Sequence, residues 1–340
     1  MKLVVYIIIT GCILISLLHS CVQSNKADTQ WVQPSNREGK AVWGFKDGIR
    51  ISLNPESIRG LILIHTPYLG HEENDVINFF AIEPIVKGEL HRGFSEMEQS
   101  SLDGVQGKRI WSSDSDSDCG IKDVTAIADG IVRKENGMET LAVYLFIEPF
   151  ENGAKVYVRA RFFSNNPYEV EISTYKCQDS ENLDYCIVTA TMGNYSRLRN
   201  LYLKDKVISS LDLWPDFSAS DFTPHEYVKA EKMIHDNNGY PYFIAAADEE
   251  NPEMAVFAEN TPDWWRYYGK KATQYWYSKA PKNDTNGIVN GRVVYWGDLL
   301  PIPGGISYEN FELKQEFGQG DSFVFGVSPL SPEKFIDNLK

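Results

Sequence analysis

The sequence is poor in cysteine and histidine, and it lacks several motifs that indicate a particular enzymatic reaction. Its 340 residues include 5 Cys and 6 His, and no Cys-x-x-Cys or His-x-x-x-His spacing indicates a zinc site. Gly-x-Ser-x-Gly, the phosphate-binding loop and a Gly-x-Gly-x-x-Gly after a strand are also absent. The motifs of serine hydrolases, NTPases and dinucleotide-binding proteins are therefore missing.

Positive charge is also in deficit. The chain carries 33 Lys and Arg against 47 Asp and Glu, a formal net charge of −14. This balance argues against a nucleic-acid partner, which would be attracted by a basic surface. A local basic patch can still bind an anionic glycan, because charges are screened beyond about 10 Å.

Long apolar runs are confined to the N-terminus. Lys2 precedes the apolar segment 3–18, which is short for a membrane-spanning helix. We therefore predict a signal peptide over residues 1–20; the alternative is an uncleaved anchor helix. The tetrapeptide Leu18-His19-Ser20-Cys21 resembles a bacterial lipobox. This resemblance implies lipidation of Cys21 and a protein of the bacterial cell envelope that is attached to the membrane.

Residues 21–40 are polar and are predicted to be a tether behind the lipidated cysteine. In lipoproteins of the Bacteroidetes type, an acidic cluster after that cysteine marks export to the cell surface. The segment 22–28 lacks such a cluster. A periplasm-facing anchor is therefore favoured over surface exposure.

The chain is rich in aromatic residues, at 13%, and strand-like runs recur about every 10–15 residues. We predict an all-β fold, a single large antiparallel β-sandwich over residues 41–340 with few short helices. Segments 141–147 and 155–163 are predicted to form a hairpin across an Asn-Gly turn, and segments 169–176 and 185–191 a second one. The two helix candidates are 195–204 and 332–339.

Three cysteines remain if Cys12 is cleaved off and Cys21 is lipidated. Cys177 and Cys186 flank a polar turn, so a disulfide across the second hairpin is one interpretation, and two free cysteines are the other. The spacing does not decide between them.

Two resemblances add to these patterns. The segments that carry the first are 77–85, 93–98, 189–199, Trp296-Gly297 and 303–306. They resemble a family of secreted proteins from carbohydrate-degrading bacteria, over about residues 40–328. This resemblance implies a compartment and an ecology, not a reaction. The closing segment 306–327 is similar to the terminal strands of galactose-mutarotase-like supersandwiches.

The stretch from Trp264 to Tyr277 combines seven aromatic residues with three cations. Sugar rings stack on aromatic faces, and cations pair with uronate or sulfate groups. The substrate-binding candidates are Trp264, Trp265, Arg266, Tyr268 and Trp276. The alternative is a strand whose aromatic residues belong to the core. Neighbours on a strand point to opposite faces, so Trp264 and Trp265 cannot both face a ligand.

Acid–base candidates lie in the segment 89–98. It combines a histidine, an arginine and carboxylates, which suit proton transfer beside an acidic sugar; the alternative is a solvated loop. A second histidine follows Pro224, and a structural role is its alternative. The catalytic candidates are His91, Arg92, Glu96, Glu98 and His225.

Alternating carboxylates at Asp114, Asp116 and Asp118 resemble the first half of a calcium loop. Cys119 stands where that motif needs glycine, so a solvated acidic loop is the other interpretation. Calcium is the one cofactor that the sequence suggests.

These observations predict a carbohydrate-active envelope lipoprotein whose partner is an acidic poly- or oligosaccharide. A polysaccharide lyase or a glycoside hydrolase is the leading hypothesis. The alternatives are a glycan-binding lipoprotein without catalysis and a structural envelope protein.

Overall fold

A computed structural model describes residues 30–53, 59–66, 76–89, 97, 107–116, 119, 127–191, 198–219, 221–247, 273–295 and 301–340. The chain from Trp31 to Lys340 forms one compact unit. Strand pairing begins at Trp31, inside the segment predicted to be a tether, because Trp31 pairs with Phe45 and is buried.

Most of the described residues lie in β-strands. The strands are β1 Trp31–Val32, β2 Val42–Phe45, β3 Arg50–Ser52, β4 Ile62–His65, β5 Val76–Val86, β6 Ile110–Ser113, β7 Ile131–Glu135, β8 Met138–Ile147, β9 Val156–Phe163, β10 Asn166–Lys176, β11 Leu183–Thr191, β12 Leu198–Tyr202, β13 Val207–Ser209, β14 Glu226–Lys229, β15 Ile234–His235, β16 Pro241–Ala247, β17 Thr273–Ser278, β18 Asn286–Tyr295, β19 Pro301–Glu316 and β20 Asp321–Ser328. The helices are α1 Ser210–Leu213 and α2 Pro332–Leu339, with 3-10 turns at Pro34–Asn36 and Ala230–Lys232.

The strands form two antiparallel sheets. The first sheet has nine strands in the order β1-β2-β3-β4-β5-β11-β19-β18-β14. The second has eleven, with the path β13-β12-β16-β17-β20-β10-β9-β8-β6, and β15 and β7 pair beside it. The prediction of an all-β sandwich is confirmed.

One core lies between the sheets because the strands alternate apolar and polar side chains. Ile64, Val188 and Leu313 of the first sheet belong to the same buried cluster as Val158 and Ile172 of the second. The residues between these apolar positions point outward. The two outer faces therefore carry the polar side chains of the strands.

The hairpin of β8 and β9 is confirmed by their pairing from Thr140↔Phe163 to Phe146↔Tyr157. The second predicted hairpin is wrong. Strand β10 pairs with β9 and β20 in the second sheet, whereas β11 pairs with β5 and β19 in the first. The intervening turn crosses the sandwich, so both strands face the same core from opposite sides.

Of the two predicted helices, one is confirmed and one is wrong. The C-terminal helix α2 spans Pro332–Leu339, as predicted. The segment 195–204 contains β12, which pairs with β13 and β16 and buries Leu198 and Leu201 in the core. In such a short segment, tertiary packing overrides a weak helix propensity.

Candidate functional site

The outer face of the second sheet carries a concentration of charge where β9, β10, β20 and β17 lie side by side. On β9, Val158 and Ala160 enter the core, so Arg159 and Arg161 point outward. On β10, Val170 and Ile172 enter the core, so Glu169 and Glu171 share the outer face with these arginines. Charges that lie apart in the sequence are thus brought together by strand alternation.

Glu171 is the centre of this charge cluster. Its carboxylate is only 2% exposed, and Arg161, its register partner, approaches Oε1 at 2.6 Å through Nη2. Lys279 Nζ lies 2.8 Å from Oε2, and Arg159 Nη2 lies 3.9 Å from Oε1. A carboxylate so far from water requires compensating charge, and these three cations supply it.

Glu169 lies in a different environment two residues earlier. The Tyr275 hydroxyl donates to its Oε1 at 2.8 Å. Gly326 is the register partner of both residues, on the strand between them. A Cβ at position 326 would lie 2.1 Å from Tyr275 Cζ. The glycine therefore makes the space through which the tyrosine ring reaches Glu169.

Burial raises the pKa values of the Glu169 carboxyl group and of the phenol groups beside it. Desolvation raises the pKa of the Glu169 carboxyl, although the Tyr275 hydroxyl and the Lys279 charge act in the opposite sense. Burial also raises the pKa of the Tyr275 and Tyr277 hydroxyls, and the negative charge of Glu169 adds to this effect. Glu169 therefore keeps its proton to a higher pH than an exposed glutamate does.

A cavity of about 230 Å³ opens beside these carboxyl groups. Its lining residues are Met138, Phe163, Asn165, Asn166, Glu169, Glu171, Tyr277, Lys279 and Val324. We call it the Glu169 cavity. It is smaller than the roughly 300–1,000 Å³ of most small-molecule pockets, and suits one compact polar ring or the end of a chain.

An aromatic wall with cationic neighbours borders the Glu169 cavity. Arg161 Cζ lies 4.6 Å from the ring centre of Phe163, and Lys279 Nζ lies 5.7 Å from it. Tyr277 stacks on Tyr242 with ring centres 4.1 Å apart. The cavity therefore combines a proton carrier, a paired carboxylate, cations, amides and flat apolar surfaces.

Most of the candidate residues from the sequence lie outside the described residues: His91, Arg92, Glu96, Glu98, Trp264, Trp265, Arg266 and Tyr268. Trp276 is described, and its assignment to substrate binding is corrected. It is fully buried in the core on β17, with its ring stacked against Phe323 at 5.9 Å. Its neighbours Tyr275 and Tyr277 occupy the outer face instead.

His225 lies on the other side of the sandwich, at the outer face of the first sheet. Its Nε2 is 3.7 Å from Glu312 Oε1 and 3.4 Å from Asn290 Nδ2. Glu312 is buried, whereas the histidine side chain is 43% exposed. The structure thus pairs His225 with a carboxylate but does not bring it to the Glu169 cavity.

The acidic loop and the cysteines have partners that the sequence did not indicate. Asp114 Oδ1 accepts the Gly130 N–H at 2.8 Å, and Asp118 lies outside the described residues. Among the described residues, no group of three His, Cys, Asp or Glu side chains could hold a metal. The disulfide joins Cys119 to Cys177, which corrects both interpretations of Cys177, and Cys186 is free and buried.

The Glu169 cavity was missed by the sequence interpretation, although a signal was present. Strand β10 reads Glu169-Val-Glu171-Ile, and β9 reads Arg159-Ala-Arg161-Phe. Charge at every second position of a strand means a charged outer face. Histidines and tryptophans in other segments were predicted to be functional instead, because these residue types suggest acid–base chemistry and sugar stacking without any knowledge of strand pairing.

In the described part of the chain, no helix is long and apolar enough to cross a membrane. No protein-family model and no curated protein matches the chain. Among solved structures, it is similar to an α-galactosidase from Lactobacillus brevis, with 7% sequence identity and a TM-score of 0.37. The match covers 86% of this chain and 40% of the α-galactosidase, so the chain spans less than half of that protein's length.

Proposed function

We propose that this protein is a glycoside hydrolase that acts on an acidic oligo- or polysaccharide at the Glu169 cavity. The observation that carries the proposal is the pair of carboxyl groups on β10. Burial raises the pKa of Glu169, whereas Glu171 is held among three cations. Two carboxyl groups in contrasting environments are what hydrolysis of a glycosidic bond requires.

The two groups would divide the chemistry between them. Glu169 would donate a proton to the leaving oxygen, and the Glu171 carboxylate would take a proton from the water that attacks the anomeric carbon. Side chains two residues apart on a strand share a face with a spacing of about 7 Å. This backbone spacing lies within the range of about 6.5–9.5 Å between the carboxyl groups of inverting enzymes and exceeds the range of about 5–5.5 Å for retaining enzymes.

The charge balance supports an acidic substrate. Arg159, Arg161 and Lys279 surround Glu171, so the three cations outnumber the two carboxyl groups of the cluster. A sugar carboxylate or sulfate would complement that excess. Phe163 and Tyr277 line the cavity and offer ring faces for the apolar side of a pyranose.

A hydrolase fits this cavity better than a lyase. β-Elimination from a uronate needs a base that removes the C5 proton. Burial raises the pKa of Tyr275 and Tyr277, so neither phenol is ionised near neutral pH. The described residues of the cavity include no histidine, so the lyase hypothesis depends on residues elsewhere.

A second candidate, a glycan-binding lipoprotein without catalysis, is favoured by one observation. Arg161 and Lys279 engage different oxygens of Glu171, at 2.6 and 2.8 Å. A carboxylate that is engaged on both oxygens can serve to hold in place the cations that bind the ligand. The cavity would then bind an acidic sugar without cleaving it.

We also propose that the protein is anchored in the bacterial envelope through lipidated Cys21. The lipobox-like segment 18–21 supports this, and the disulfide between Cys119 and Cys177 suits an oxidising compartment. In cell fractionation, the wild-type protein is expected with the membrane, and Cys21→Ser in the soluble fraction. A Cys21→Ser protein that stays in the membrane would contradict the anchor.

The function is tested by offering acidic and neutral polysaccharides to residues 22–340 and to the Glu169→Gln variant. Reducing ends report hydrolysis, and ultraviolet absorbance of an unsaturated uronate reports elimination. We expect reducing ends from an acidic glycan, without that absorbance, and a loss of at least about 100-fold in Glu169→Gln. Absorbance without dependence on Glu169 would overturn the proposal. Binding without either product would favour the second candidate.

A further inference from the structure

The C-terminal helix α2 covers the tyrosines that surround Glu169. Phe335, Ile336 and Leu339 pack on the outer face of the second sheet. The buried members of that cluster are Tyr202, Ile234, Tyr242, Ile244, Ala246, Tyr275, Tyr277 and Val324. An outer sheet face that would otherwise meet water is therefore closed by one short helix beside the Glu169 cavity.

The helix is fixed to the sheet at both ends. At its start, Ser331 is the N-cap, and the Thr273 hydroxyl donates to the Leu330 carbonyl at 2.7 Å. At its end, the Asn237 N–H donates to the Leu339 carbonyl at 3.2 Å. An eight-residue helix is marginal on its own, so these attachments and the apolar contacts set its position.

Phe335 is the contact that connects the helix to the proposed proton donor. Its ring stacks on Tyr275 with ring centres 4.5 Å apart and planes 25° apart. The Tyr275 ring also lies over Gly326, and its hydroxyl donates to Glu169. The tyrosine is thus held between the β20 backbone and Phe335, and is only 5% exposed.

We propose that α2 is a positioning element of the Glu169 cavity, in which Phe335 holds the Tyr275 hydroxyl on the Glu169 carboxyl and keeps water from that hydrogen bond. The role in catalysis rests on the proposed function, whereas the positioning does not. Phe335 does not line the cavity, so it acts through Tyr275. The same contacts shield one side of the Glu169 carboxyl group, which is partly exposed towards the cavity.

The groups that influence Glu169 come from the elements packed around it. Tyr275 and Tyr277 lie on β17, and Lys279 follows that strand. Asn166 and Glu171 lie on β10, and Tyr242 lies on β16. From α2, Glu333 interacts with Tyr202, and the other charged side chains of the helix are exposed. Replacing Phe335 therefore changes the surroundings of Glu169 without adding or removing a charge.

The test compares Phe335→Ala with Phe335→Leu in the full chain, and Ile336→Ala is the matched control on the same helix. Carbon-13 NMR of the glutamate carboxyl groups follows the titration of Glu169, whose signal is assigned with Glu169→Gln. We expect the Glu169 midpoint to fall in Phe335→Ala, because desolvation is the largest influence on this carboxyl group and its relief outweighs the loss of the Tyr275 hydrogen bond. Phe335→Leu should restore most of the wild-type midpoint, and Ile336→Ala should leave it nearly unchanged.

An unchanged Glu169 midpoint in folded Phe335→Ala would overturn the proposal, and so would an equal shift in Ile336→Ala. Thermal unfolding checks that each variant is folded. If an acidic glycan is cleaved, the alkaline limb of the pH profile should move to lower pH in Phe335→Ala, with kcat affected more than KM. If no glycan is cleaved but the midpoint still falls, the proposed hydrolase fails while the positioning role stands.

Discussion

Glu169 binds its proton more tightly in the folded chain than in the unfolded one, because burial raises the pKa of its carboxyl group. Stability from such a group is fully present below its unfolded pKa and is lost as pH rises through its folded pKa. Glu169→Gln should match the wild type in acid and become relatively more stable as pH rises. The gain is about 1.4 kcal/mol per unit of pKa shift.

Denaturant unfolding at a series of pH values measures this difference. The exposed Glu231, replaced by Gln, serves as the control and should show no such trend. A constant difference between Glu169→Gln and the wild type across the series would mean that Glu169 is not held in a dehydrated site.

Gly326 is the second residue on which the site depends. In Gly326→Ala, the new Cβ would lie 2.1 Å from Tyr275 Cζ, so the ring must move away from Glu169. We expect a loss of about 1–3 kcal/mol in stability, as is usual for overpacking. The clash disappears without the ring, so Gly326→Ala should cost much less in a Tyr275→Ala background. Equal costs in both backgrounds would contradict the contact.

At the scale of strands, the pairing of β9 with β10 places Arg161 opposite Glu171. Arg161→Met would leave a buried carboxylate with one cation fewer, and we expect destabilisation of about 3 kcal/mol. Lys155→Met is the matched control, because Lys155 pairs at the same 2.6 Å with the exposed Asp179. It should unfold like the wild type. Similar unfolding of both variants would contradict the buried ion pair.

The disulfide fixes the acidic loop to the end of β10. Cys119 and Cys177 are 58 residues apart, and closing a loop of that length contributes about 4 kcal/mol through the unfolded state. Cys119→Ser should lose a comparable amount in urea unfolding. Non-reducing peptide mapping should link Cys119 to Cys177.

Burial raises the pKa of Cys186 to about 12, so Cys186 should resist alkylation until the chain unfolds.

How far the sequence predicts this fold depends on the kind of information each element carries. The recurring strand-like runs predicted strands such as β8, β9, β10 and β11 and the sandwich as a whole. It did not separate a hairpin from a crossing between sheets at 177–182, because both place polar turn residues between two amphipathic strands. Sheet order depends on contacts between distant segments, which a single sequence does not display.

The candidate site was harder to predict for the same reason. Trp276 and Tyr277 are equally aromatic, and only their order along β17 decides which faces the core. Glu171 and Lys279 are 108 residues apart in the sequence. They meet because β10, which contains Glu171, and β17, which ends just before Lys279, both pair with β20. The aromatic, cationic sugar site expected from composition stays a prediction, because only strand pairing decides which of these side chains converge on one surface.

At the scale of the whole molecule, an acidic protein presents a local cluster of cations at and beside the Glu169 cavity. The net charge is −14, yet Arg159, Arg161 and Lys279 converge on one outer face. The opposite outer face offers His225 beside Glu312. The central claim is therefore one of location: an acidic glycan should bind at the second sheet and not at the first.

Carbon-13 methyl NMR of methionine tests that location directly. Met138 lines the Glu169 cavity, whereas Met233 is buried in the core and serves as an internal control. In a titration with uronate-containing oligosaccharides, we expect a saturable shift of the Met138 methyl signal, which Tyr277→Ala weakens, and a constant Met233 signal. Saturable binding with an unmoved Met138 signal would contradict the account, because the ligand would then bind elsewhere.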